Sequence, residues 1–280
     1  MSYAKVVKPG SSVSLKDFDP GDHGGLEREV ADAIRSERGK KVEGLQELMY
    51  AANMNSLLIV LQGIDTSGKD GSIRSILNVV NVQSCRVESF KAPTSLEASH
   101  DFLWRVHAKV PAAGGMTIFN RSHYEDVLVV RVHDLVPKDI WKKRYDQINH
   151  FEELLSDSGT IILKFFLHIS KDEQKRRLLA REEDPDKSWK LAVGDWKERE
   201  LWSKYEEAYN DVLEKCSTEI APWHIVPANH KWFRDLAIME VIEATLKPYK
   251  SDWHDHLKKI GVERKAELEQ FRTLGEKKST

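Results

Sequence analysis

The stretch "VLQGIDTSGKDGSIR", residues 60–74, decides the fold. It overlaps a continuous apolar run, "SLLIVLQ" (Ser56–Gln62), the pattern of a parallel strand buried on both faces. Residues 72–80 then read as a helix. Between the two lies Gly63-x-x-x-x-Gly68-Lys69, the frame of a phosphate-binding loop. Such a turn aims backbone N–H groups at an anion from the positive end of the helix dipole. Gly63, Thr66, Ser67, Gly68 and Gly71 are the candidate cradle, and Lys69 adds a movable point charge. The usual loop places a magnesium-holding Ser or Thr after this lysine. Here Asp70 stands there. A carboxylate is also a hard oxygen ligand, so Asp65 and Asp70 are candidate metal ligands as well as catalytic candidates. The plainer reading makes Asp65 a turn stabiliser and Asp70 a helix first-turn acid favoured by the dipole.

Outward from this stretch the same strand-then-helix grammar repeats. "CRVESF", "MTIFN", "TIILKFFLHIS" (160–170) and "WHIVPA" (223–228) read as strands. Helical spacing marks residues 26–52 as one or two amphipathic helices. It also marks "SLEASHDFLWRVHAKV", "KDIWKKRYDQINHFEELL", "KDEQKRRLLAREE" and "ERELWSKYEEAYNDVLEK". This alternation predicts an α/β fold, a parallel sheet with helices on both faces. Residues 1–24, rich in Gly, Ser, Asp and Pro, read as an extended arm, and 249–280 as a charged, exposed helix and tail.

Composition narrows the function. The 280 residues carry a formal net charge of -2, which disfavours wholesale binding to nucleic acid and leaves anions to local basic clusters. No apolar run is long enough to span a bilayer, so no membrane role is expected. Cys85 and Cys216 lack metal-ligand spacing and fit a reducing compartment, and the expected location is the cytoplasm. The eleven histidines form no helical zinc motif. Trp223, Trp232 and Phe233 read as core or interface aromatics.

Two further stretches carry chemistry. In "MTIFNRSHYEDVLVVRV" (116–132) a buried strand ends in Asn120-Arg121-Ser122, and ligands of open parallel sheets gather at such carboxyl ends. Arg121 suits bidentate binding of a transferring phosphoryl group, and Glu125 can complete a metal shell or orient the attacking phosphate. Asn120, Arg121, Asp126 and Arg131 are nucleotide-contact candidates, although an Arg–carboxylate pair within "RSHYED" explains the same text structurally. Arg105, on the aromatic-bearing "SHDFLWRVH", joins them. In "KDEQKRRLLAREEDPDKSWK" (171–190), Arg177 and Arg181 share a helix face, and Lys187 and Lys190 follow the Asp-Pro break. By composition this is a solvated face. Its place after the fourth strand is where P-loop nucleotide kinases carry a lid that brings basic residues onto phosphates and excludes water, here about 171–199.

Taken together and in order, "GIDTSGKDG", "FNRSHYED", "HISKDEQKRRLLAREEDPDKSWK" and "APWHIVPANHKWFRD" resemble the polyphosphate kinase 2 family over about residues 25–248. The family's loop carries Asp after the lysine, which answers the oddity at position 70. The resemblance implies a P-loop kinase-like domain with a helical lid. It also implies magnesium- or manganese-dependent, reversible transfer of a phosphoryl group from inorganic polyphosphate to ADP. By position, Asp65, Lys69 and Asp70 take the loop chemistry, Asn120 and Arg121 the second strand tip, and Arg177, Arg181 and Lys190 the lid. Many members read Asp-Arg-Ser where this chain has Asn120-Arg121-Ser122. That departure looks like the family's class III, which accepts AMP as well as ADP. Guanine nucleotides are further candidate acceptors, and amphipathic helices are compatible with a homo-oligomer. The rival readings are an ATP-dependent nucleotide or nucleoside kinase and a non-catalytic polyphosphate-binding regulator.

Overall fold

The computed structural model describes residues 2–184, 186 and 193–276. Its sheet has six strands: β1 (Lys5–Val6), β2 (Ser56–Gln62), β3 (Cys85–Ser89), β4 (Met116–Asn120), β5 (Thr160–His168) and β6 (Trp223–Pro227). The spatial order is β1-β6-β5-β2-β4-β3, and the five strands β2 to β6 run parallel. β2 lies at the centre, paired along its whole length with β5 and with β4 on its other side. Every residue of β2 is buried, as its unbroken apolar text requires of a strand covered on both faces. The chain leaves β2 toward one edge and later returns to its other flank, so the loop after β2 opens at a topological switch point.

Alternate residues of β2 serve two cores. Leu57, Ile59 and Leu61 pack with Val42, Leu45 and Met49 of α1 (Arg28–Ala52) and with Ile238 and Ile242 of α10 (Lys231–Leu246). Leu58 and Val60 face Ile148 and Phe151 of α6 (Lys138–Asp157) and Val212 and Leu213 of α9 (Trp202–Lys215). The helix after the loop, α2, runs Lys69–Leu77 and so begins at the loop lysine itself.

Three expectations are refined. The parallel sheet gains an antiparallel edge from the extended segment read at the amino end: within residues 2–24, β1 pairs with β6, and Val7, Val13 and Leu15 are buried. An uncovered edge of β6 would expose unpaired backbone groups, and this segment caps it. The single helix read in "SLEASHDFLWRVHAKV" is two short ones, α3 (Ser95–Ala98) and α4 (Trp104–His107). Asp101 accepts from the Leu103 N–H at 3.0 Å, a local side-chain bond that competes with helix continuation. α11 (Lys250–Glu276) is exposed over most of its length, as expected, but is anchored in its first turn, where Trp253 is fully buried and donates to Asn55 Oδ1 at 2.9 Å.

Candidate active site

The loop between β2 and α2 takes its shape from backbone that only certain residues tolerate. Gly63 has φ 155°, and a Cβ there would meet Ser67 Oγ at 2.6 Å and the Leu167 carbonyl at 2.9 Å. Gly68 has φ 104°, and a Cβ would lie 2.0 Å from an Arg234 guanidinium nitrogen. Thr66 adopts φ 67° without being glycine, a strain that such loops store at functional positions.

Two buried arginines brace this loop from behind. Arg177 of α7 (Lys171–Glu182) donates to the Thr66 and Ser67 carbonyls at 2.9 and 3.0 Å and to the Ala228 and Asn229 carbonyls. Its remaining Nε donates to Glu173 at 2.6 Å. The expected phosphate-gripping role therefore does not fit Arg177: its donors are spent on carbonyls whose burial would otherwise leave them costly. Arg234, only 2% exposed, lies against Gly68 and Gly71 and pairs with Asp235 at 2.7 Å. Sequence reasoning missed Arg234. The available signal was a pair of cations, Lys231 and Arg234, in the first turn of α10, the positive end of a dipole where cations are unfavourable unless anions lie nearby.

Lys69 folds back over the loop and donates to the Gly63 carbonyl at 2.8 Å. Burial, then the neighbouring Arg121, lowers its pKa to about 8 against the pull of Asp65, Glu125 and Asp70. At the end of β4, Arg121 adopts φ 61°, in the left-handed region. Its guanidinium forks between Asp65 at 2.5 Å and Glu125 at 3.3 Å. Burial opposes its charge, but Glu125 and Asp65 together raise its pKa, so it stays cationic. Asn120 donates to Asp70 Oδ1 at 3.0 Å, tying the β4 tip to the start of α2. Ser122 accepts from the Tyr124 N–H and is held by Gln62 Nε2 at 3.1 Å, so the last residue of β2 steadies the second tip.

Asp65, Lys69, Asp70, Asn120, Arg121 and Glu125 thus converge. Gly63, Asp65, Arg121 and Glu125 line one small cavity, closed by Tyr205 and Tyr209 of α9 and Glu198 of α8 (Val193–Glu200). At about 20 Å³ it has room for roughly one water. Burial and Glu125 keep Tyr209 protonated.

Other predicted residues are placed elsewhere. Arg105 donates to the Lys91 carbonyl at 2.8 Å and lies over the Phe90 ring, a packing position. Asp126 is tied to Arg144 at 2.8 Å. Arg131 is held by Asp211 at 2.5 Å and Glu207 at 2.7 Å and faces a different cleft. None of these three lines the small cavity, because each has a nearer structural partner. Arg181 bridges to Asp195 of α8 at 3.0 Å, joining α7 to α8. Lys187 and Lys190 lie outside the described residues.

Metal fit follows from the donor set. Among the described residues no cluster of three or more His, Cys, Asp or Glu could hold an ion alone. Magnesium characteristically uses one or two carboxylates plus substrate phosphates, which suits Asp65 and Asp70 beside a phosphate cradle. Among the described residues no helix is long and apolar enough to cross a membrane.

Comparison with known proteins agrees with this geometry. The family model described as polyphosphate kinase 2 matches residues 26–253. An AMP/ADP-polyphosphate phosphotransferase of Meiothermus ruber is 48% identical over 86% of this chain and 91% of its own. An ADP-polyphosphate phosphotransferase of Rhodopseudomonas palustris is 43% identical over 76% of this chain and 78% of its own. The crystal structure of polyphosphate kinase 2 from Arthrobacter aurescens TC1 superposes with a TM-score of 0.83 at 41% identity, covering 89% of this chain and 92% of that one. A loop with an aspartate after its lysine, an arginine fork at the neighbouring strand tip and these likenesses place the chain in one group: it belongs to the polyphosphate kinase 2 family.

Proposed function

We propose that this enzyme moves the terminal phosphoryl group of inorganic polyphosphate onto ADP, giving ATP, and onto AMP, giving ADP, reversibly and with magnesium. The observation that carries the reading is the Arg121 fork, shared between Asp65 of the loop and Glu125, directly beside Lys69. Phosphoryl transfer needs alignment and charge neutralisation more than covalent help. Loop N–H groups and Lys69 hold the donor's terminal phosphoryl, and Arg121 steadies its oxygens as charge develops. A phosphate oxygen of the acceptor attacks that phosphorus, one P–O anhydride bond forms, and the bond to the shortened chain breaks. The attacking oxygen is already ionised, so no general base is required. When bound at Asp65 and Asp70, magnesium would neutralise charge between the two polyanions. The AMP reading is supported by Asn120 at the strand tip and by the substrates in the name of the Meiothermus ruber relative. The one-water cavity under α8 and α9 supports the reading that this cover opens to admit substrate and closes to exclude water.

The test offers AMP, ADP and GDP separately with polyphosphate and Mg²⁺, with products resolved by chromatography. ADP should form from AMP and ATP from ADP. If AMP is phosphorylated by ATP and never by polyphosphate, the donor assignment fails. Binding of polyphosphate without turnover under every metal condition would indicate a regulator instead.

A further inference from the structure

On the far side of α5 (Val129–Val132) and α9 lies a cleft of about 730 Å³. Its wall includes Lys138 and Lys142 of α6, Lys204 and Lys215 of α9, and Arg131 of α5. Against these five cations stand Asp134, Glu207 and Asp211. Glu207 and Asp211 are already spent, on Arg131 and, for Asp211, also on Lys215 at 3.0 Å. Lys138, Lys142 and Lys204 are exposed, and among the described residues none has a carboxylate within ion-pair distance. Unpaired cations converging on a concave surface concentrate an attractive potential for anions.

The cleft also adjoins the catalytic cavity. Val129 lines the cavity and Arg131, two residues on, lines the cleft; Tyr205 lines the cavity and Lys204, its neighbour, the cleft. The two linings therefore meet across α5 and α9, with the lysines on the cleft side. We infer that the cleft of Lys138, Lys142 and Lys204 is a second binding site for polyphosphate, holding the part of a long chain that trails from the catalytic loop. This rests on the proposed donor. Its energetic consequence is multivalency, in which the second contact is made at high effective concentration and only by chains long enough to reach it.

The test is the triple variant Lys138→Gln, Lys142→Gln, Lys204→Gln, with ADP and Mg²⁺ saturating and tripolyphosphate or long-chain polyphosphate as donor. For long chains KM should rise about tenfold, and the logarithmic salt dependence of long-chain binding should fall by roughly two for three lost phosphate contacts. With tripolyphosphate, kcat and KM should stay at wild-type values. A KM change that is the same for both donors, or no change with long chains, overturns the second site. So does a KM for ADP, measured in a second series at saturating long-chain donor, that changes while the donor KM does not, which would assign the cleft to nucleotide. Because the wild type is run alongside, absence of polyphosphate turnover in it would strike the donor assignment, whereas wild-type turnover with an indifferent variant strikes only the cleft.

Discussion

Lys69 is charged at a cost to the folded protein. Its ammonium is buried beside another cation, Arg121, and its pKa falls to about 8 from the usual 10.5. The sign of the consequence follows from proton counts. Between about pH 8 and 10.5 the unfolded chain holds a proton that the folded chain has lost, so stability from this group increases as pH rises through that window. Below pH 8 both states are protonated and the full penalty of burying the charge remains. Lys69→Met keeps the apolar stem and removes the charge. It should abolish transfer while raising the melting temperature at pH 7, by about 2–4 °C for each kcal/mol of relief. The gain should shrink above pH 9, which scanning calorimetry across pH would read. A destabilised variant with a flat pH profile would mean that Gly63 and Ile64 carbonyls, not burial, dominate the lysine's surroundings.

The strand-and-loop elements were the legible part of the chain, for a physical reason. β2 and β5 are buried on both faces, so every position is apolar or internally paired, and their text admits little else. The β2 loop was equally legible, because Gly63 and Gly68 stand where a Cβ would collide. What escaped the sequence was pairing across elements. Arg177 and Arg131 look like free cations in one dimension and acquire carbonyl or carboxylate partners only when α7 packs on the β2 loop and α9 lies beside α5. The support under the β4 tip was likewise unreadable. There Lys164 of β5, wholly buried, donates to Glu152 of α6 at 2.5 Å, to the Tyr124 hydroxyl at 2.9 Å and to the Cys216 carbonyl at 2.6 Å. Tyr124 follows Arg121 by three residues, so this network fixes the turn that presents the arginine. Lys164→Met should cost about 3–5 kcal/mol in denaturant unfolding, because it strands the Glu152 carboxylate. Adding Glu152→Leu should recover much of that loss, since an apolar pair need not be desolvated as ions. A double variant as unstable as the sum of its parts would show that Tyr124 and His123, not the ion pair, hold the layer together.

Both ends of the described chain close the same layered body, but unequally, and that asymmetry can be measured. At the amino end, Val7 donates to the Trp223 carbonyl at 2.9 Å, accepts from Ser217 Oγ at 2.6 Å, and buries its side chain with Val13 and Leu15. Each such side chain contributes about 1.5–3 kcal/mol when fully buried, apart from the bonds along β6. At the carboxyl end the contribution is concentrated in the first turn of α11, where Trp253 fills the core made by α1 and α10. Farther along, Val262 and Phe271 are 70% and 76% exposed, so that length of helix contributes little burial to a single copy. Removing residues 2–17 should therefore lower the guanidinium midpoint sharply and expose the edge of β6 to aggregation. Removing 262–280 should leave the midpoint of a monomer almost unchanged. If the carboxyl truncation is the costly one, and its cost shrinks on dilution of the intact protein, the exposed face of α11 is buried by a second copy rather than by its own domain.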